Sequence, residues 1–173
     1  MADAFVHRGP DGEGTWSDPE AGIALSHRRL AVVGLGEAGA QPMTSRSGRW
    51  VISYNGEIYN APELTRRLEA LGVVLRGTSD TEVLVEAIDA WGVAATLEAI
   101  NGMFAFAAWD REERKLTLAR DRLGEKPLLY GTIGGRFAFA SELRGLRDDA
   151  LNGTGIFVGF PDAMARIVDS ECS

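Results

Sequence analysis

The pattern of apolar and polar positions predicts strands in the first third of the chain. Short apolar runs at residues 23–26 and 29–33 indicate two strands, and residues 49–54 indicate a third. The third strand runs into Asn55-Gly56, the dipeptide that most strongly signals a two-residue hairpin turn. We therefore expect a tight turn at Asn55-Gly56.

Two helices are predicted next, each with a recognisable start. Residues 60–72 begin at Asn60, a favoured N-cap residue, with leucines repeating along one face. Residues 79–92 begin with Ser79 and Glu82, spaced as in a capping box. Because both helices carry an apolar stripe, we expect a sheet to cover them.

A second group of strands follows the helices. Apolar runs and turn signals place these strands at residues 103–109, 115–120, 128–133 and 136–140. Residues 103–109 are apolar throughout, which is typical of a strand covered on both faces. This pattern predicts stacked sheets with helices outside. Beyond residue 146 the pattern weakens, and residues 156–173 suggest a short apolar run and one or two helical turns.

Composition narrows the classes of function. The chain has 25 acidic and 18 basic residues and a net charge of -7, so nucleic acid is not an expected partner. It has neither an apolar run near the ~20 residues that span a bilayer nor a signal-peptide pattern, so we expect a cytoplasmic protein without a membrane partner. Its single cysteine, Cys172, allows no internal disulfide and no cysteine-based metal site.

Seven short motifs carry a family resemblance. They are HRGPDG at 7–12, HRRL at 27–30, QPM at 41–43, YNGEIYN at 54–60, SDTE at 79–82, NGMFAF at 101–106 and RDRLGEKPL at 120–128. In this order and spacing they resemble the class II glutamine amidotransferase domain of asparagine synthetase. The resemblance covers residues 7–146. We therefore expect a partial amidotransferase domain at 1–146 and a divergent tail at 147–173, without a synthetase domain.

The resemblance implies an α+β fold of the N-terminal-nucleophile hydrolase type. That fold is a four-layer αββα sandwich, in which two antiparallel sheets stack between helical layers. Since only six residues precede His7, we expect the first strand and helix of the fold to be missing. An incomplete sheet could lead to homodimerisation, to self-association, or to a strand added from the tail, for which 155–160 is the most apolar segment.

The resemblance also implies an oxyanion hole. The side-chain amide of Asn55 and the backbone N–H of Gly56 would donate to the oxygen of the tetrahedral intermediate. An ordinary hairpin turn is the alternative interpretation of the dipeptide alone.

A second group of residues would hold the amino acid end of L-glutamine. Arg29 would pair with the α-carboxylate, and the backbone of Val32 and Val33 would line the same wall. Glu57 and Asp80 would accept hydrogen bonds from the α-ammonium. The alternatives are a surface ion pair for Arg29 and helix-cap roles for the two acids.

The family nucleophile has no counterpart in the chain as given. In the family the mature protein begins with cysteine, whereas residues 1–6 contain no Cys, Ser or Thr, and Cys172 has no free α-amine. We therefore expect no glutamine hydrolysis by this chain. No cofactor is expected, because ATP and magnesium would belong to the synthetase domain.

Three functional hypotheses follow. The chain is a disrupted asparagine synthetase whose family role is to release ammonia from glutamine for asparagine synthesis. Alternatively, it is a nucleophile-less glutamine-binding or scaffold module, as in relatives resembling β-lactam synthetase. The third hypothesis is a structural remnant without a ligand, which the intact glutamine-contacting set argues against.

Overall fold

The computed structural model describes residues 12–29, 39–133, 135–142 and 165–169, with backbone alone for 12–13, 28–29 and 165–169. These residues form an α+β arrangement of three helices and three sheets. In chain order the elements are β1 (Gly12–Asp18), β2 (Ile23–Arg29), β3 (Met43–Thr44), β4 (Trp50–Ile58), α1 (Ala61–Ala70), α2 (Asp80–Trp91), α3 (Val93–Ala99), β5 (Gly102–Asp110), β6 (Lys115–Arg120), β7 (Leu129–Ile133), β8 (Arg136–Ala140) and β9 (Ala165–Asp169).

The largest sheet has the strand order β3-β4-β5-β6-β9, and β1-β2 and β7-β8 form two-stranded sheets. Every pairing in the described part of the chain is antiparallel except that of β6 with β9, which is parallel. The strand at Ala165–Asp169 corrects the expectation of helical turns in the tail, since its backbone pairs with the edge of β6. Segment 155–160 lies outside the described residues.

β5 is buried on both faces, as its unbroken apolar sequence predicted. Phe104, Phe106 and Ala108 join the cluster that packs against the helices. Ala107 and Trp109 point the other way, into a second cluster that includes side chains of β1, β2 and β8. The central sheet is therefore covered by helices on one face and by strands on the other.

The expected turn at Asn55-Gly56 is wrong. β4 continues through both residues to Ile58, and all nine of its residues pair with β5. Gly56 is needed for close packing, because a Cβ there would collide with the carbonyl oxygen of Met103 and lie 2.8 Å from Cα of Phe104. A long paired partner strand thus outweighs the local turn preference of the dipeptide.

The helices begin at the expected residues, but their capping differs from the prediction. The N-cap Asn60 does not bond to its own helix; instead its Nδ2 donates to the Ala99 carbonyl and its Oδ1 accepts from the Asn101 N–H, at 2.9 and 2.8 Å. It therefore ties α1 to the connection that enters β5. Helix α3 was not predicted from the sequence.

Half of the predicted capping box in α2 is confirmed. Ser79 Oγ accepts the N–H of Glu82 at 3.2 Å. The carboxylate of Glu82 instead accepts the backbone N–H groups of Arg76 and Gly77, at 2.6 and 2.8 Å. The side chain thus fixes the segment before the helix.

Candidate functional site

One face of β4 is buried at the start of the strand and exposed at its end. Along one face of the strand, Val51 is fully buried, Ser53 is half-buried, and Asn55 and Glu57 are exposed. Alternation along a strand places these four side chains on the same face. This face of β4 therefore passes from the core at Val51 to the surface at the C-terminal end of the strand, where Asn55 and Glu57 are exposed.

β2 ends near this part of β4. The Ser53 hydroxyl lies 3.4 Å from the Ser26 carbonyl oxygen and 3.5 Å from Nδ1 of His27. Arg29 is the last residue of β2, two positions beyond His27. The backbone of Arg29 therefore lies close along the chain to the residues that contact Ser53. The side chain of Arg29, and Val32 and Val33 entirely, lie outside the described residues.

The ladder between β4 and β5 decides which way each N–H of β4 points. Arg111 donates its N–H to the Arg49 carbonyl at 3.0 Å, and Tyr59 donates its N–H to the Asn101 carbonyl at 2.8 Å. These bonds assign the odd-numbered residues of β4 to hydrogen-bonded pairs with β5. The N–H of Gly56, an even-numbered residue, therefore points away from β5.

On the edge of β4 that faces away from β5, side chains accept hydrogen bonds from the N–H groups on either side of Gly56. The Tyr54 N–H donates to Oε1 of Gln41 at 2.6 Å, and the Ile58 N–H donates to Oδ2 of Asp80 at 3.2 Å. Gly56 lies midway between them, and among the described residues its N–H has no partner on this edge. The Gly56 N–H thus lies between two N–H groups that already have acceptors.

Asp80, the first residue of α2, is held against β4 at two points. Its Oδ2 accepts the Tyr54 hydroxyl at 2.8 Å as well as the Ile58 N–H. Its Oδ1 has no hydrogen-bond partner within the described part of the chain, and the residue is half-buried. One carboxylate oxygen is therefore fixed, and the other can accept from a ligand.

The surroundings of Tyr54 favour the protonated form of its hydroxyl, which donates to Asp80. Burial of its ring, followed by the negative charge of Asp80, raises the pKa of the Tyr54 hydroxyl well above its usual value. The charge of Glu57 acts in the same direction. Both acids proposed for the ammonium subsite therefore lie within electrostatic range of this hydroxyl.

Two residues of the site had no role in the sequence analysis. Gln41 links β4 to α2, because its Nε2 donates to Oγ1 of Thr81 at 3.3 Å while its Oε1 accepts from Tyr54. Tyr54 is 3% exposed and bonds at both its hydroxyl and its backbone N–H. Both residues lie in motifs that carry the family resemblance, but only the tertiary contacts show what their polar groups bind.

Asp121 organises the loop after β6. Its carboxylate accepts the N–H groups of Phe104, Glu125 and Lys126, at 3.2, 2.9 and 3.0 Å. Burial alone would raise the pKa of Asp121, but the backbone donors, led by that of Lys126, outweigh it and lower the pKa. The charged carboxylate thus holds this loop against β5.

Within the described ranges, no three His, Cys, Asp or Glu side chains come together as a metal site. No helix in the described part of the chain is both long and apolar enough to cross a bilayer.

Comparison with known proteins identifies the family. The profile described as "Glutamine amidotransferase domain" matches residues 1–156. Asparagine synthetase [glutamine-hydrolyzing] 3 of Bacillus subtilis is 39% identical over 169 residues, which covers 96% of this chain and 25% of the relative. Asparagine synthetase [glutamine-hydrolyzing] 1 of the same organism is 40% identical over 146 residues, or 84% of this chain and 22% of the relative. The chain thus spans about a quarter of the length of these curated relatives.

Solved structures support the same assignment. The glutamine phosphoribosylpyrophosphate amidotransferase of B. subtilis superposes with a TM-score of 0.59 at 29% identity, over 69% of this chain and 27% of that chain. A second structure, described as the allosteric regulatory enzyme of purine biosynthesis, gives 0.60 at 30% identity, over 69% and 28% of the two chains. With its mixed α+β architecture and its antiparallel sheets, the chain belongs to the glutamine amidotransferase domain family.

Proposed function

We propose that the chain is the glutamine-binding domain of an asparagine-synthetase-like protein. The observation that carries the proposal is the edge of β4, where the open N–H of Gly56 lies beside the carboxylate of Asp80. The backbone donor suits the side-chain amide of glutamine, and the fixed acid beside it suits the α-ammonium.

The amide end of glutamine would bind at Asn55 and Gly56. The side chain of Asn55 is exposed near the C-terminal end of β4, and the Gly56 N–H is held in place by the β4–β5 ladder. Donors fixed in advance stabilise a developing oxyanion without reorganising, which is the property that an oxyanion hole requires.

The amino acid end would bind to charged groups around the C-terminal end of β4. Glu57 and Asp80 would accept from the α-ammonium, and Arg29 would pair with the α-carboxylate beside the backbone of Val32 and Val33. A guanidinium matches a carboxylate through two parallel hydrogen bonds, and carboxylates accept strongly from an ammonium. One cation and two anions suit a zwitterionic amino acid.

The proposal extends to the architecture. The helices on one face of the central sheet and the strands on the other correspond to part of a four-layer αββα sandwich. We assign the amidotransferase domain to residues 1–146 and treat 147–173 as a tail that contributes β9. The parallel pairing of β9 with β6 is consistent with a segment that adds to an existing sheet edge.

The proposal predicts that glutamine is bound but not hydrolysed. The relatives are named as glutamine-hydrolysing, and in them this domain would release ammonia for asparagine synthesis. A polypeptide of the 173 residues has Cys172 as its single cysteine, so it should bind glutamine without hydrolysing it. Such a polypeptide would act as a glutamine-binding or scaffold module.

Calorimetry with purified chain and L-glutamine tests the proposal. Removing a charge-assisted contact costs about 1.5–3 kcal/mol, so Arg29→Ala and Asp80→Ala should each weaken binding about tenfold or more. Arg66→Ala and Glu63→Ala are matched controls, because both side chains are exposed on α1. Equal glutamine affinity in all five proteins would reject the site.

An ammonia assay tests the separation of binding from hydrolysis. The purified chain should release no ammonia from glutamine above a buffer blank. Release that survives alkylation of Cys172 would contradict the assignment.

A further inference from the structure

Asp80 is attached to the strand that carries the oxyanion donor. Tyr54 and Ile58, which hold its Oδ2, lie two residues before and two residues after Gly56 in β4. Successive residues of an antiparallel strand are ~3.4 Å apart, so the N–H groups of Gly56 and Ile58 are ~7 Å apart. The strand thereby sets the spacing between the proposed amide and ammonium subsites.

Of the two groups that hold Asp80, only the Tyr54 hydroxyl belongs to a side chain. The Ile58 N–H is part of the backbone and would remain in any variant of residue 58 other than proline. The Tyr54 ring is buried in the cluster beneath the helices, which leaves its hydroxyl little freedom to move. A buried ring with its hydroxyl on a carboxylate is therefore a rigid support for that carboxylate.

Gln41 fixes Tyr54 in turn. Its side chain accepts the Tyr54 N–H and donates to Thr81, the residue after Asp80. The start of α2 is thus joined to β4 through the main chain of Tyr54 and through its side chain. Neither Tyr54 nor Gln41 needs to contact glutamine for this support to work.

We propose that Tyr54 is a positioning residue for the ammonium subsite: by holding Oδ2 of Asp80, its hydroxyl leaves Oδ1 aimed at the α-ammonium of glutamine. This inference rests on the proposed function, because it needs Asp80 to be the ammonium acceptor. It predicts that Tyr54 affects recognition of the ammonium and not of the amide or the carboxylate.

Two ligands separate this role from a general structural one. Glutaramate has the amide and the carboxylate of glutamine but no α-ammonium. In Tyr54→Phe, which keeps the ring, glutamine affinity should fall about tenfold, as expected for losing a hydrogen bond to a charged group. Glutaramate affinity, measured by NMR titration of the full chain, should stay within about twofold of wild type. The matched control Tyr130→Phe, at a half-exposed tyrosine of β7, should leave both affinities within about twofold.

Two further variants make every outcome informative. Asp80→Asn should weaken glutamine binding but not glutaramate binding; if glutamine affinity is unchanged, the proposed function fails at this residue and the inference fails with it. Asp80→Glu keeps the charge and Tyr54, but its longer side chain shifts the carboxylate, so it should also weaken glutamine selectively. If Tyr54→Phe does not fold, this variant carries the test: wild-type glutamine affinity in Asp80→Glu would show that the exact position of the carboxylate beside Tyr54 does not matter, and it would overturn the inference.

The inference alone is overturned if Asp80→Asn weakens glutamine binding while Tyr54→Phe binds glutamine as wild type does. It is also overturned if Tyr54→Phe weakens both ligands equally, because that result shows a structural role only.

Discussion

Glu82 should be among the residues on which stability depends most. It is 2% exposed, and its two carboxylate oxygens accept the backbone N–H groups of Arg76 and Gly77. Nε of Arg76 adds a third contact, at 3.2 Å. In Glu82→Gln the shape of the side chain is kept, but only one oxygen remains to accept.

The cost of this change follows from the geometry. The amide NH₂ of the new glutamine would face one of the two backbone N–H groups, so one buried donor would lose its acceptor. A hydrogen bond to a charged group contributes about 1.5–3 kcal/mol, and an unsatisfied buried donor costs about 1–3 kcal/mol. Because Arg76 is half-exposed and can turn to water, we expect a net loss of about 3 kcal/mol.

Urea denaturation monitored by tryptophan fluorescence measures this loss. Glu63→Gln is the matched control, because Glu63 has the same position in α1 as Glu82 in α2 but is exposed. The control should stay within about 0.5 kcal/mol of wild type. If Glu82→Gln is also within about 0.5 kcal/mol, then the carboxylate does not hold the segment before α2, and the reasoning is refuted.

Three other changes give distinct results. In the same urea denaturation, Gly56→Ala should destabilise the chain by about 1–3 kcal/mol through its clash with β5. Gly131→Ala is its control, because a Cβ there meets nothing within 4 Å, and it should change stability by less than about 1 kcal/mol. Asp121→Asn should cost about 2–3 kcal/mol at pH 7, because the charged carboxylate holds three N–H groups. Since the folded pKa of Asp121 is lowered, the gap from wild type should shrink as pH falls below the unfolded value of 3.8, and a gap independent of pH would contradict this account. Burial raises the pKa of Glu86, so ionising its carboxyl opposes folding. Glu86→Gln should therefore gain stability relative to wild type as pH rises above 4.5. A relative loss would show that the hydrogen bond from the Arg46 N–H needs the charge.

The sequence by itself determined the elements with regular periodicity. The two longer helices, the doubly covered strand β5 and the hairpin β7-β8 lie within a few residues of their predicted bounds. In each, local propensity and burial favour the same structure, so the pattern suffices. The motifs also determined the family. The glutamine-contacting roles of Arg29, Val32, Val33, Glu57 and Asp80 remain predictions.

Tertiary structure decided the features in which local and long-range preferences differ. Asn55-Gly56 favours a turn locally, but pairing with the whole length of β5 keeps it in a strand. The side chains of Asn60 and Glu82 stand at N-terminal helix positions, yet they bind backbone groups other than the predicted capping partners. Likewise, Tyr54 donates to Asp80, although the two residues lie 26 positions apart along the chain. A sequence pattern shows that such a polar group needs a partner, but only the packed chain determines which one it finds.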